Sequence, residues 1–234
     1  MNLPSPNSLN SDALARLVAT RAWVYGWAIS RNAHAPIERS GYFQIFVGRP
    51  EQMTRYVLPN FDYELIQSLA STESGPGTWL KVCAPIDSVR PLLSNNWHIH
   101  EPEFLMSAKL ADSDASIIPG YRVHTDSSGA LVFAKIFAET GELAASGQVA
   151  LDDSFASFDQ IVTAEAHRRR GLGRHVMTAL TGASLDHGAR QGVLVATEAG
   201  AALYKALGWS MISPVTAASY LGAHTRTPGS RCLT

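Results

Sequence analysis

The sequence predicts an α/β (α+β) fold, and three stretches carry that prediction. Residues 11–31 repeat apolar side chains at helical spacing, with Leu14, Leu17, Val18, Trp23, Val24 and Trp27 on the periodic positions. Residues 130–151 read as a hairpin, in which ALVFAKIFAE and LAASGQVAL flank TGE and Gly141 supplies the positive φ such a turn needs. From residue 155 onward strand and helix patterns alternate, so the second half has the order β-β-β-α-β-α-β.

Taken from the N-terminus, Ser11 or Asp12 is placed to cap the first helix. After NAHAPIERSG, the run YFQIFVG reads as a strand, FDYELIQSLAS as a short helix, SGPG as a break and TWLKVCA as a strand. IDSVRPLLSN reads as a helix shortened by Pro91, whose ring lacks the N–H that the ladder requires. WHIHEPEFLMSAKL completes this half. The polar segment DSDASIIPG separates two apolar blocks and sets the expected boundaries: an α/β region over 1–112, a second domain over 113–222 and a flexible tail over 223–234.

Within the second domain FASFDQIVT is the third strand, followed by a helix over 171–187 with Leu172, Val176, Leu180 and Ala183 on one face. GVLVAT is a short buried strand, EAGAALYKALG a helix ended by Gly208, and WSMISPVTAASYL the final strands, bent at Pro214. LKVCAPIDSVRPLLSNNW echoes VLVATEAGAALYKALGW, each a strand, a turn, a helix and a closing tryptophan. The echo reads either as a degenerate tandem repeat or as the likeness of any two such units.

At 234 residues and 46% hydrophobic composition the chain can bury a sizeable core. Its 19 Lys and Arg against 20 Asp and Glu leave a formal charge of −1, which points to neither nucleic acid nor an anionic membrane. The tract ALARLVATRAWVYGWAIS is interrupted by Arg16 and Arg21 and lacks the order of a signal peptide, so a cytoplasmic protein is expected. Cys83 and Cys232 show no metal or disulfide spacing and are expected as free thiols. Monomer and homodimer both stay open.

Charge is instead concentrated locally, in AEAHRRRGLGRHVMTAL over residues 164–180, where a helix begins. A helix N-terminus presents amides without intrahelical partners and about half a positive charge, and it binds phosphate readily. Gly171 and Gly173 let the loop approach an anion closely, while Arg168, Arg169, Arg170 and Arg174 add mobile charge. No Gly-Lys pair follows, which removes the Walker loop, and Val176 stands where a Rossmann loop needs its third glycine. A solvated basic turn is the other reading of the letters alone.

The pattern resembles the GNAT superfamily of acyl-CoA-dependent N-acyltransferases, whose signature R/Q-x-x-G-x-G/A lies between a strand and a helix. Here it is Arg168-Arg169-Arg170-Gly171-Leu172-Gly173, and a second signature, A-L-Y-x-x-L-G-F/W, stands as ALYKALGW at 202–209. The resemblance covers about residues 120–222 and implies a mixed, mostly antiparallel sheet with splayed central strands. Thr197 replaces an asparagine frequent in the family seven residues before the motif tyrosine.

What the resemblance implies can be carried over residue by residue. Acetyl-CoA would be the acyl donor, with backbone of Ile161, Val162 and Thr163 against its pantetheine arm and Thr197 nearby. Amides of Arg170, Gly171, Leu172, Gly173 and Arg174 would hold the pyrophosphate, with the Arg168 and Arg169 side chains free for the adenosine phosphate. Tyr204 would be the acid for the departing thiolate, and the amide near Val162 would polarise the carbonyl. Strand alternation places Ser157, Asp159, Ile161 and Thr163 on one face, so Asp159 is the candidate base, or an anchor for a loop or the amine, with solvent as the other proton path.

His98 and His100 alternate onto one face without a third metal ligand, so no metal site is expected. Asp152 and Asp153 read as a strand-end turn, Glu101 and Glu103 lie near the acceptor if the first half lines the cleft, and Trp209 reads as core. The expected reaction is direct acetyl transfer in a ternary complex to a primary amine, with a small molecule preferred over a peptide or protein. A catalytically silent acyl-CoA-binding or sensing module is the alternative.

Overall fold

A single side chain sets the first helix: the Asn10 carboxamide accepts from the Ala13 amide at 2.8 Å, and α1 runs over Ser11–Ser30. The cap is therefore one residue earlier than the Ser11 or Asp12 expected. This computed structural model describes residues 10–73, 75–112, 118–152 and 154–221. Asp153, Cys232, the tail over 223–234 and most of the expected domain boundary lie outside the described residues.

Eleven further strands and helices of the first half and the hairpin region follow in order. They are β1 (Ile37–Arg39), β2 (Tyr42–Arg49), β3 (Gln52–Leu58), α2 (Tyr63–Thr72), β4 (Thr78–Val82), α3 (Ile86–Val89), β5 (Trp97–Ile99), β6 (Glu103–Lys109), β7 (Tyr121–Ser128), β8 (Leu131–Ala138) and β9 (Leu143–Asp152). The remainder is β10 (Phe155–Thr163), α4 (Leu172–Asp186), β11 (Gln191–Thr197), α5 (Glu198–Ala206) and β12 (Ser210–Tyr220). Pro91 does shorten its helix, since α3 gives way to a 3₁₀ turn at Arg90–Leu92. The final strands are one strand, β12, with a bulge between Met211 and Ser213 just before Pro214.

Among the described residues, twelve strands form one sheet in the order β1-β2-β3-β4-β12-β6-β11-β10-β9-β8-β7, with β5 beside β12. Two neighbouring pairs are parallel, β3 with β4 and β10 with β11, each joined through a crossover helix, α2 or α4. The other pairs are antiparallel. β12 pairs with β6 through its first half and with β4 and β5 through its second, so it ties the two ends of the sheet together. β6 belongs to the first half of the chain yet lies between β11 and β12, and sheet pairing thus crosses the expected boundary.

One core packs α4 onto β8, β9 and β10 through Leu172, Val176, Met177 and Leu180. A second packs α1 across the opposite face through Trp23, Val24 and Trp27 against Phe43, Val57, Leu105 and Val193. Burying each such side chain contributes about 1.5–3 kcal/mol. Gly26 lets α1 lie directly on β10: a Cβ there would stand 2.1 Å from Cβ of Ser157. Ser157 is sealed beneath the helix, 2% exposed. Among the described residues no helix is long and apolar enough to cross a membrane.

Candidate active site

The site begins where two parallel strands part. β10 and β11 are paired only over Phe155–Ser157 with Gln191–Val193, while β11 continues against β6 as far as Thr197. Beyond Ser157 the β10 edge facing β11 has no strand partner, and an open wedge with exposed amides and carbonyls results.

A bulge at Gln160 shapes that wedge. Between Asp159 and Val162 the pairing with β9 shifts by one residue, and Gln160 takes a left-handed φ of 57°. The extra residue inverts the alternation. Ser157 and Asp159 face α1, whereas Ile161 joins the α4 core and Thr163 approaches Gly173. The expected common face of Ser157, Asp159, Ile161 and Thr163 is therefore corrected: it ends at the bulge. Val162 is 57% exposed and lines a small cleft with Phe133, Lys135, Gln148 and Gln160.

Asp159 is fully engaged. Arg31, the C-cap of α1, donates from Nε to Oδ2 at 2.7 Å and from Nη2 to Oδ1 at 3.0 Å, and the Ser30 hydroxyl donates to Oδ2 at 2.5 Å. The Gln160 amide donates to Oδ1 at 2.9 Å. Burial pushes this carboxyl up, but the Arg31 and Ser30 hydrogen bonds, the Arg31 charge and the Gln160 amide together outweigh it, so it sits below the ordinary carboxylate value. Such a group is a weak base. Its visible work is to fix the end of α1 against the bulge.

The arginine-glycine loop follows. After a 3₁₀ turn at Glu165–His167, Arg168 is extended, Arg169 takes φ 65° and Gly171 takes φ 78° as N-cap of α4. Glycine brings no side chain, so the first amides of α4 have no side-chain cap and point outward with the dipole. A Cβ on Gly173 would come within 3.1 Å of Leu203 Cδ2, so the missing side chain lets α4 approach α5 at the wedge. Arg170 Nη1 donates to the Tyr121 hydroxyl at 2.8 Å, and that hydroxyl meets His167 Nδ1 at 2.9 Å, which ties the loop back to β7. Arg168 Nε reaches the Thr163 carbonyl at 3.4 Å. Arg174 lines a cleft of about 350 Å³ between α4 and α5, with His175, Thr178, Leu207 and Trp209.

Across the wedge, Thr197 caps α5 by accepting from the Gly200 amide at 3.3 Å, and its hydroxyl proton stays free to donate. Tyr204, about two turns further on, is 8% exposed and its ring centroid stands 6.0 Å from that of Trp209. Burial first, and then the Asp159 charge, push its phenol up to about 12. Trp209 is core, edge-on to Phe158. His98 and His100 do share a face, with ring centroids 4.7 Å apart, and His100 stacks on Trp79. Glu103 pairs with Lys81, whose ammonium is pushed down to about 8 by burial against the opposing Glu103 charge. Arg31, Ser30 and Gln160 are site residues that no sequence signal announced.

The chain matches the Acetyltransferase (GNAT) family over residues 90–209. That span is half of the chain, and the protein belongs to the GNAT acetyltransferase family; it is an acyltransferase that uses an acyl-CoA donor and an acceptor substrate. Among solved structures it is similar to a GCN5-related N-acetyltransferase from Kribbella flavida, at 15% identity over 91% of this chain and 97% of that one, with a TM-score of 0.62. A GCN5-related N-acetyltransferase from Sphaerobacter thermophilus aligns at 11% identity over 93% of each chain with a TM-score of 0.55. A tandem GNAT protein from the clavulanic acid biosynthesis pathway aligns at 13% identity over 82% of this chain and 81% of that one, with a TM-score of 0.50. No curated protein matches the sequence.

Proposed function

We propose that the protein transfers the acetyl group of acetyl-CoA to a primary amine of a small molecule, directly and within a ternary complex. One observation carries this reading: β10 is unpaired with β11 beyond Ser157, and the uncapped N-terminus of α4 lies at the open end of that gap, where Gly173 approaches Thr163. An uncapped helix start beside unpaired strand backbone suits a pyrophosphate followed by an amide-bearing arm.

In this reading the amides of Arg170 to Arg174 bind the pyrophosphate, and Arg168 and Arg169 approach the adenosine phosphate from outside. The Ile161, Val162 and Thr163 backbone takes the pantetheine arm, and the Thr197 hydroxyl donates to it. A strand amide beside Val162 that faces the wedge polarises the carbonyl. The amine nitrogen attacks, the new C–N bond forms, and the C–S bond breaks with its electron pair going to sulfur. Water accepts the amine proton, because the lone pairs of Asp159 are already committed to Arg31 and Ser30. Tyr204 donates its hydroxyl to the leaving sulfur. A phenol near 12 is a weaker acid than a thiol by roughly three to four pK units, so it acts first by hydrogen bonding and is reprotonated from solvent if transfer completes.

The test is thiol release from acetyl-CoA across an amine panel, with the acetylated amine identified by mass spectrometry. Amine-dependent release with a matching product supports the reading. Saturable acetyl-CoA binding without amine-dependent release contradicts it and leaves a binding module.

A further inference from the structure

Among the described residues, three cations, Arg31 at the end of α1 and Arg55 and Lys81 on the sheet beneath it, stand against two carboxylates, Asp159 and Glu103. Arg31 is paired with Asp159, and Lys81 with Glu103. Arg55 is left over. It is 6% exposed, and among the described residues no carboxylate reaches it within ion-pair distance. A guanidinium in that position has lost its water without gaining a counter-charge, a costly arrangement for the protein alone.

What does hold Arg55 is neutral. Its guanidinium carbon lies 3.8 Å from the centroid of the Trp27 ring. With the Gln52 amide oriented by its hydrogen bonds, that oxygen accepts from Arg55 Nη2 at 2.5 Å and from Nε at 3.0 Å. Nη1 makes no hydrogen bond among the described residues. Burial pushes the group down to about 10, against the Glu103 charge, which still leaves it a cation at neutral pH.

A shared ring links it to the bulge of β10. The Trp27 indole also carries Arg31, 5.9 Å from its centroid, and Arg31 is the residue that grips Asp159 at the bulge. One ring thus separates the unpaired guanidinium from the Arg31–Asp159 pair at the bulge of β10.

We propose that Arg55 binds a carboxylate on the acceptor, so that the acceptor is an amine of the amino-acid class rather than a neutral amine. This rests on the acetyl-transfer reading above and names the substrate class of that same site. With Nε and one Nη2 proton on Gln52, the guanidinium keeps its Nη1–Nη2 edge as a planar fork that a carboxylate accepts, and stacking on Trp27 fixes the plane.

The experiment compares kcat/KM for matched acceptors, an α-amino acid and the amine left when its carboxylate is removed, in the wild type and in Arg55→Met and Arg55→Lys. Acetyl-CoA affinity and melting temperature report that each variant is loaded and folded. The expected wild-type preference for the carboxylated partner is about 10–100-fold. It collapses toward one in Arg55→Met, which keeps an apolar stem against Trp27, and falls partway in Arg55→Lys, which keeps the charge but not the fork. A wild-type ratio near one, or a ratio unchanged in both variants, overturns the assignment while leaving acetyl transfer standing. Turnover of neither amine overturns both.

Discussion

Tyr204 keeps its proton because burial disfavours the phenolate and the Asp159 charge adds to that penalty. In the proposed mechanism that hydroxyl donates to the leaving sulfur, so Tyr204→Phe should lower kcat about 10²-fold with acetyl-CoA affinity retained, read by steady-state kinetics and calorimetry. An unchanged kcat would make the ring purely structural. Gly173→Leu should weaken acetyl-CoA binding at least 10²-fold, since its Cβ would press on Leu203 and its side chain would screen the first amides of α4. Asp159 provides the pH argument. Its carboxyl lies below the ordinary value in the folded state, so the stability it contributes is present above the unfolded value and is lost as pH falls through the folded one. Arg31→Met leaves that carboxylate without its cation. It should cost about 1–3 kcal/mol at neutral pH and move acid unfolding to higher pH, followed by circular dichroism.

At the scale of elements the site depends on α1 lying flat on β10. Gly26→Val would force a side chain into Ser157 and is expected to destabilise the fold by about 2–3 kcal/mol, measured as a fall in melting temperature and denaturation midpoint. Little of this packing was legible in the sequence. The loop over 168–173 could be read because a helix start, two glycines and an arginine are local signals. The bulge could not, since glutamine carries no preference for a left-handed φ, and missing it reversed the expected facing of Ile161 and Thr163. The Arg31 grip on Asp159 joins residues 128 apart, and no periodicity reports such a pair. β7 went unread because seven of its eight side chains are exposed, which removes the alternation that marks a strand.

Taken whole, the molecule repeats a strand, a crossover helix and a parallel strand on each side of β12, but only one of the two units opens. β3 and β4 stay paired from Thr54 with Thr78 to Leu58 with Val82, and the α2 N-terminus is already capped by the Asp62 carboxylate accepting from Leu65 at 3.0 Å. An acid in that position repels phosphate, whereas Gly171 leaves α4 bare. Titration calorimetry should accordingly give one acetyl-CoA per chain, and two would show that the first half binds as well. The two crossover units thus share a topology, while the letters that support a cofactor are confined to the second. Acetyl transfer to an amine is tested most directly by acetyl-CoA turnover across an amine panel, with the product identified by mass spectrometry. Thiol release should require an amine and yield its acetylated form in equal amount; tight acetyl-CoA binding with no amine-dependent release would instead mean a binding module.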